Sequence, residues 1–214
     1  MNPGNRYDVS GLTEAQIEPG SDGQVLKNLP GIKSVAEMDV AEASALVKAM
    51  DRFVRMYDEA HRFTASDVRE FHRLWLGDIY TWAGEYRQVN VSKGDFPFAA
   101  AARVPALMSE FDRDVLVRCT PCNSKVRDEV VRALAEAHVE LVLIHPFRDG
   151  NGRVARVLST LMALQAGLPL LDFSTIANER KEGYFAAVRA GLDRNYRPME
   201  KIFAEVIERS VAES

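Results

Sequence analysis

Residues 145–156 read His145-Pro-Phe-Arg-Asp149-Gly-Asn-Gly-Arg153-Val-Ala-Arg156. Apolar residues keep helical spacing on both sides of this stretch: Val130, Leu134, Ala137 and Leu141 before it, and Val154, Val157, Leu158, Leu161 and Leu164 after it. The stretch is therefore a tight loop between two core helices. A helix beginning near Gly152 turns unpaired N–H groups and the positive end of its dipole towards the loop, which makes an anion site. Gly150 and Gly152 around Asn151 let the backbone approach a phosphate where a Cβ would intervene. Arg153 and Arg156, three apart, share one helix face and supply donors to a polyphosphate. Asp149 beside this nest would repel phosphate without a bridging cation, so Mg²⁺ shared between Asp149 and phosphate oxygens is expected. His145 closes the preceding helix and is placed to take a proton from an incoming hydroxyl. Phe147 is expected to turn inward and fix the loop to the core. No GK[ST] follows the glycines, and the protein-kinase signature set is missing, so neither a Walker loop nor a kinase is indicated.

The rest of the chain reads as mostly α. Met38, Ala41, Leu46, Met50, Phe53, Val54 and Tyr57 define a long amphipathic helix from Glu37 to about Ala60. Thr64, with Asp67 three residues on, caps a second helix that carries Val68, Phe71 and Trp75 inward. In "RQVNVSKGDFPFA", residues 87–99, Val89 and Val91 alternate before Lys93-Gly94-Asp95, and Phe96 and Phe98 after it, a hairpin signal. Helical spacing returns with Val104, Leu107, Met108, Phe111 and Val115. After the loop, Gly167 and Pro169 stop the helix that begins near Gly152. Phe185, Val188 and Leu192, then Ile202, Phe203, Val206 and Ile207, mark two more helices.

At 214 residues with 47% hydrophobic content, one domain is expected. The Gly-, Pro-, Asn- and Asp-rich start is read as an extended arm over 1–24, leaving a domain at 25–214. A net charge of −4 excludes a global basic field, so neither nucleic acid nor an anionic membrane surface is expected as a partner. No signal peptide or membrane span is apparent, and a cytoplasmic protein is expected. Cys119 and Cys122 lack the partners of a zinc or redox site and read as a turn between helices.

The loop fills every defined position of the signature HPFx[DE]GNGRxxR and resembles the Fic family. "LWLGDIYTWAGEYRQVNVSKGDFPFA", residues 74–99, is similar to the segment that leads into the Fic flap. "VLKNLPGI", residues 25–32, is similar to the start of many bacterial Fic proteins. The resemblance implies the Fic fold, a bundle of about seven to nine helices with a short β-hairpin flap beside the active-site loop. It also implies a nucleotidyltransferase, a protein adenylyltransferase that moves AMP from ATP to a Ser, Thr or Tyr hydroxyl of a target protein and releases pyrophosphate. His145 would then be the general base, and Asp149 the Mg²⁺ ligand. Gly150, Asn151 and Gly152 would cradle the α- and β-phosphates, and Arg153 and Arg156 would hold the β- and γ-phosphates. The flap, Val89, Asn90, Val91, Ser92, Lys93, Gly94, Asp95 and Phe96, would register the target as an added strand.

The related Doc kinases carry Lys where this chain has Gly152 and transfer the γ-phosphate; Gly152 argues for AMP. The inhibitory pattern [ST]xxxE[GN] of many Fic proteins is not completed by Ser10–Glu14, Thr81–Glu85 or Thr175–Glu179. The resemblance then implies a toxin-type enzyme whose inhibitory helix comes from a separate small antitoxin, with uninhibited activity and an internal glutamate outside this pattern left open, and it suggests a type II topoisomerase subunit such as gyrase as target. The competing readings are a Doc-like phosphotransferase, a transferase of another nucleotide, and a non-catalytic nucleotide- or partner-binding module. Among lesser residues, His138 is read as a core histidine, Tyr184 and Tyr196 as candidates to stack on adenine, Lys93 and Asp95 as flap-tip contacts, and Arg87 as a surface ion pair with Glu85.

Overall fold

The computed structural model describes residues 11–174, 176 and 181–213. Residues 1–10 of the expected arm and most of the Thr175–Glu179 stretch lie outside them. Two antiparallel helices open the bundle: α1, Val35–Met56, capped by Ser34, and α2, Ala65–Leu76. Thr64 and Asp67 exchange the two hydrogen bonds of a capping box, which fixes the start of α2. A hairpin follows, β1 at Ser92–Lys93 and β2 at Phe96–Pro97, with Lys93 opposite Phe96. Its paired residues, next to the Gly94-Asp95 turn, are fewer than the alternation from Val89 to Phe98 suggested, although beyond them the Phe98 N–H still donates to the Val91 carbonyl at 3.2 Å. Gly94 takes the positive φ that such a turn requires.

Next come α3, Val104–Phe111, continued through a π turn at Asp112–Leu116 into the short α4, Val117–Cys119. The central element is α5, Arg127–Ile144, whose Val130, Leu134, Ala137, Val139 and Leu141 are all buried. A helix apolar around most of its circumference must lie inside, and α5 packs against α6, Asn151–Gln165, and α8, Arg197–Ala212. Between those two lies α7, Lys181–Ala190. Gly167, at φ +77°, follows α6 as the sequence signals indicated.

Some expectations are corrected. α1 stops at Met56, and Val54 lies on its exposed side. Leu192 is 63% exposed, in a 3-10 turn after α7. The arm also has no boundary at residue 24: Ile17 bridges Leu26, Glu18 N–H donates to the Val25 carbonyl, and Val25 is buried. Its described part folds back onto the bundle and is anchored there by Glu14, which is buried. Among the described residues no helix is long and apolar enough to cross a membrane.

Candidate active site

α5 ends at His145, which adopts a left-handed backbone (φ 52°, ψ 60°) and so turns the chain sharply into the loop. Its Nδ1 lies 3.0 Å from the Val142 carbonyl. A carbonyl only accepts, so Nδ1 carries the proton and Nε2 is the unprotonated nitrogen. The ring stacks on Phe98 of the flap, centroids 3.5 Å apart. Burial pushes its pKa down to about 4, the Val142 carbonyl opposing, so the imidazole is unprotonated at neutral pH.

The loop is built to hold its shape. Asn151 accepts from the Phe147 N–H and donates to the Phe147 carbonyl, both at 2.8 Å. Its side chain is buried in that staple, so only its backbone N–H is left for the phosphate cradle the sequence suggested. Phe147 is fully buried, as expected, and stacks on His72 of α2 at 4.0 Å. Gly150, at φ +79°, caps α6; a Cβ there would meet the Trp75 ring at 2.7 Å, which explains glycine at this position. The N–H groups of Asn151 and Gly152 have no acceptor among the described residues, while those of Arg153 and Val154 reach the Gly150 carbonyl. Two open N–H groups at a helix start are an anion site.

Arg153 and Arg156 differ in their surroundings. Arg153 lies 2.5 Å from the carboxylate of Glu42, a buried residue of α1, and packs over the Trp75 ring at 4.6 Å. Arg156 hydrogen-bonds only the Gly152 carbonyl and has no carboxylate partner among the described residues. Burial lowers its pKa. Asp149 is 53% exposed; one carboxylate oxygen accepts from the Gly150 N–H, and Arg153 stands 3.6 Å away. No group of three or more acidic, His or Cys residues suited to a metal occurs among the described residues. The chain thus offers one open carboxylate beside two open N–H groups, a donor set that fits Mg²⁺ arriving with a phosphate chain, since this ion is held through few carboxylates plus phosphate oxygens.

These residues line one cavity of about 880 Å³, bounded by Val91, Lys93, Phe96 and Phe98 of the flap and by Tyr184, Phe185 and Arg189 of α7. The size suits a ligand of nucleotide class. The Lys93 ammonium lies 4.1 Å from the Phe185 ring and the Arg189 guanidinium 5.6 Å from that of Phe96, so flap and α7 meet across the mouth.

Comparison with known proteins accords with this geometry. The Fic/DOC family profile matches residues 62–163. A protein adenylyltransferase fic-1 from Caenorhabditis briggsae is 32% identical over 154 residues, covering 72% of this chain and 29% of its own. Residues 62–163 are a Fic/DOC family domain. The protein adenylyltransferase VbhT from Bartonella schoenbuchensis is 27% identical over 207 residues, 94% of this chain and 40% of VbhT. The chain therefore spans well under half the length of these two relatives. The N-terminal Fic domain of a VirB-translocated Bep effector protein from Bartonella quintana, solved with bound ADP, superimposes with a TM-score of 0.68 at 26% identity, covering 85% of this chain and 89% of that one.

Within the Fic frame, His138 proves to be a core histidine, lying 3.1 Å from the Ser159 hydroxyl and 2.8 Å from that of Tyr184. Tyr184 lines the cavity, but Tyr196 is bound to Glu140 away from it. Cys119 and Cys122 are buried thiols with pKa values pushed up to about 11 and about 12 by burial, which suits the bland reading. Arg87 is the largest correction. It is 1% exposed, and its guanidinium donates to the carbonyls of Val89, Ala99, Ile144 and His145, while Glu85 pairs with Arg69 at 2.9 Å. Sequence reading also missed Glu42, His72, whose Nε2 donates to the Asp149 carbonyl at 3.1 Å, and Glu14, which accepts from the Gln88 and Val89 N–H groups.

Proposed function

We propose that this protein is an adenylyltransferase that moves AMP from ATP to a hydroxyl side chain of a target protein. The observation that carries the reading is the pairing of His145, its Nε2 unprotonated, with an open anion nest on the same cavity. The open N–H groups of Asn151 and Gly152 bind phosphate oxygens and Arg156 takes the distal phosphates. Asp149 would hold Mg²⁺, which would supply charge neutralisation of the phosphates. His145 Nε2 accepts the proton as the target oxygen attacks the α-phosphorus; the bond from that phosphorus to the bridging oxygen breaks and pyrophosphate leaves. The flap presents the target backbone as an added strand, so position of the hydroxyl matters more than sequence.

Gly152, where the related Doc kinases carry Lys, favours this direction over γ-phosphate transfer; a Cβ there would meet only the Arg156 Nη2 at 3.9 Å. A separate antitoxin is proposed as regulator, its carboxylate pairing with Arg156. Action in the cytoplasm on a type II topoisomerase subunit such as gyrase completes the proposal. The test is incubation with Mg²⁺ and ATP labelled at the α- or the γ-phosphate, against bacterial lysate and purified gyrase. Label on protein from the α-position alone, lost in His145→Ala, is expected. Label from the γ-position alone would establish a phosphotransferase instead, and no label from either, with wild type matching His145→Ala, would leave a binding module.

A further inference from the structure

The flap joins the body of the protein at two stems, Val89 and Ala99, and both are held by one side chain. Arg87 Nη1 donates to the Val89 carbonyl at 2.8 Å, Nη2 to the carbonyls of Ala99 and Ile144, and Nε to the His145 carbonyl at 2.6 Å. The Arg87 N–H donates to the Pro146 carbonyl at 2.9 Å. Every side-chain hydrogen bond of Arg87 is thus to a backbone oxygen, and among the described residues no carboxylate forms an ion pair with this buried guanidinium, Glu14 acting on it only through its charge. From the other side, one Glu14 carboxylate oxygen accepts from the N–H groups of Gln88 at 2.6 Å and Val89 at 3.0 Å. Arg148 of the signature donates to the Glu14 carbonyl at 2.9 Å, which ties the arm to the same loop. A planar fork that spans four carbonyls fixes distances between them in a way a single ammonium does not.

We infer that Arg87, backed by Glu14, is a positioning clamp: it locks the flap in register with His145, so that a hydroxyl carried on a flap-bound strand arrives at Nε2. The role is one of alignment, since neither residue lines the cavity. It rests on the adenylyl-transfer reading only for what the register is used for. Nucleotide binding, built from α6 and Asp149, does not pass through the clamp.

The test compares wild type with Arg87→Lys, Arg87→Met and Glu14→Ala. One measurement is the rate of α-phosphate label transfer to lysate protein with the KM for ATP; the other is hydrogen exchange of the amides at 88–100. Expected are a KM for ATP within about threefold of wild type, a transfer rate down by about a hundredfold in both Arg87 variants, and flap amides exchanging about tenfold faster or more while α5 stays protected. Lysine does not rescue, because charge without the fork cannot hold both stems. Should the Arg87 variants fail to melt cooperatively, Glu14→Ala decides, with a smaller change in the same direction. Transfer and flap exchange at wild-type levels in Arg87→Lys, or in Glu14→Ala where that variant decides, would overturn the clamp, as would a loss of rate matched by an equal rise in the KM for ATP. If wild type transfers no label, the functional reading fails, and the exchange measurements still decide whether these residues hold the flap.

Discussion

Glu42 and Arg153 are 111 residues apart in sequence and 2.5 Å apart in the fold, so this arginine of the signature is anchored by a buried acid of α1. The other Glu42 oxygen accepts from the Tyr80 hydroxyl at 2.8 Å, and its backbone carbonyl accepts from Trp75 Nε1 at 2.9 Å. Arg153 is thus clamped between Glu42 and the Trp75 ring. Glu42→Ala is expected to cost about 2–4 kcal/mol in urea unfolding, below the full value for a buried pair because Arg153 keeps some access to water. Glu42→Gln, which retains hydrogen-bonding capacity towards Tyr80, is expected to lose roughly half as much.

Arg156 should behave in the opposite way. It is largely desolvated and has no acid partner among the described residues, so folding gains little from its charge. Arg156→Ala is expected to leave the melting temperature unchanged or slightly raised. Affinity for ATP with Mg²⁺, measured by calorimetry, should fall about 10- to 100-fold, the worth of charged hydrogen bonds to phosphate. A large drop in stability with unchanged ATP affinity would show that Arg156 is structural.

The helices and the signature loop were legible because each rests on local rules: 3.6-residue periodicity, a capping box at Thr64, and glycines at turns. What escaped was polar and long-range. Arg87 sits in a segment read correctly as leading into the flap, yet its partners are backbone oxygens, which leave no mark on sequence. Glu42 and His72 did leave one. Glu42 falls in phase with Met38, Ala49 and Phe53, and His72 with Val68 and Leu76, on stripes that are otherwise buried. An ionisable residue on a core stripe must find a partner, and here the partners belong to the site. The docking of the described part of the arm left little mark on composition: it rests on single contacts, the Glu14 carboxylate on the Gln88 and Val89 N–H groups and Arg148 on the Glu14 carbonyl.

The two glycines of the loop should separate on mutation. Gly150→Ala combines a positive φ with a Cβ 2.7 Å from Trp75 and is expected to cost about 1–3 kcal/mol while shifting Asp149. Gly152→Ala lies in the first turn of α6 with only Arg156 Nη2 at 3.9 Å, and should leave stability unchanged or raise it by up to about 1 kcal/mol. Its methyl points into phosphate space, so ATP affinity should fall all the same. Equal destabilisation in the two variants would contradict the geometry.

The buried histidines predict how stability varies with pH. Burial holds His72 and His145 at about 4 and His138 at about 3, against an ordinary 6.5. For His72, protonation would also displace the Gly84 N–H from Nδ1. Between about pH 6.5 and 4 the unfolded chain binds protons at these sites and the folded chain does not, so stability is complete above 6.5 and falls as pH drops. Each site contributes a slope of about 1.4 kcal/mol per pH unit where it is charged only when unfolded, near 4 kcal/mol per unit for the three together at its steepest. Urea unfolding at pH 7, 6 and 5 measures this, and His138→Gln should lower the slope by about a third. As long as the chain stays folded, the transfer rate should hold level as pH falls from 7, because His145 stays unprotonated until pH approaches about 4. An activity limb centred near 6.5 would mean that His145 is solvated in the working enzyme and that Phe98 does not cover it.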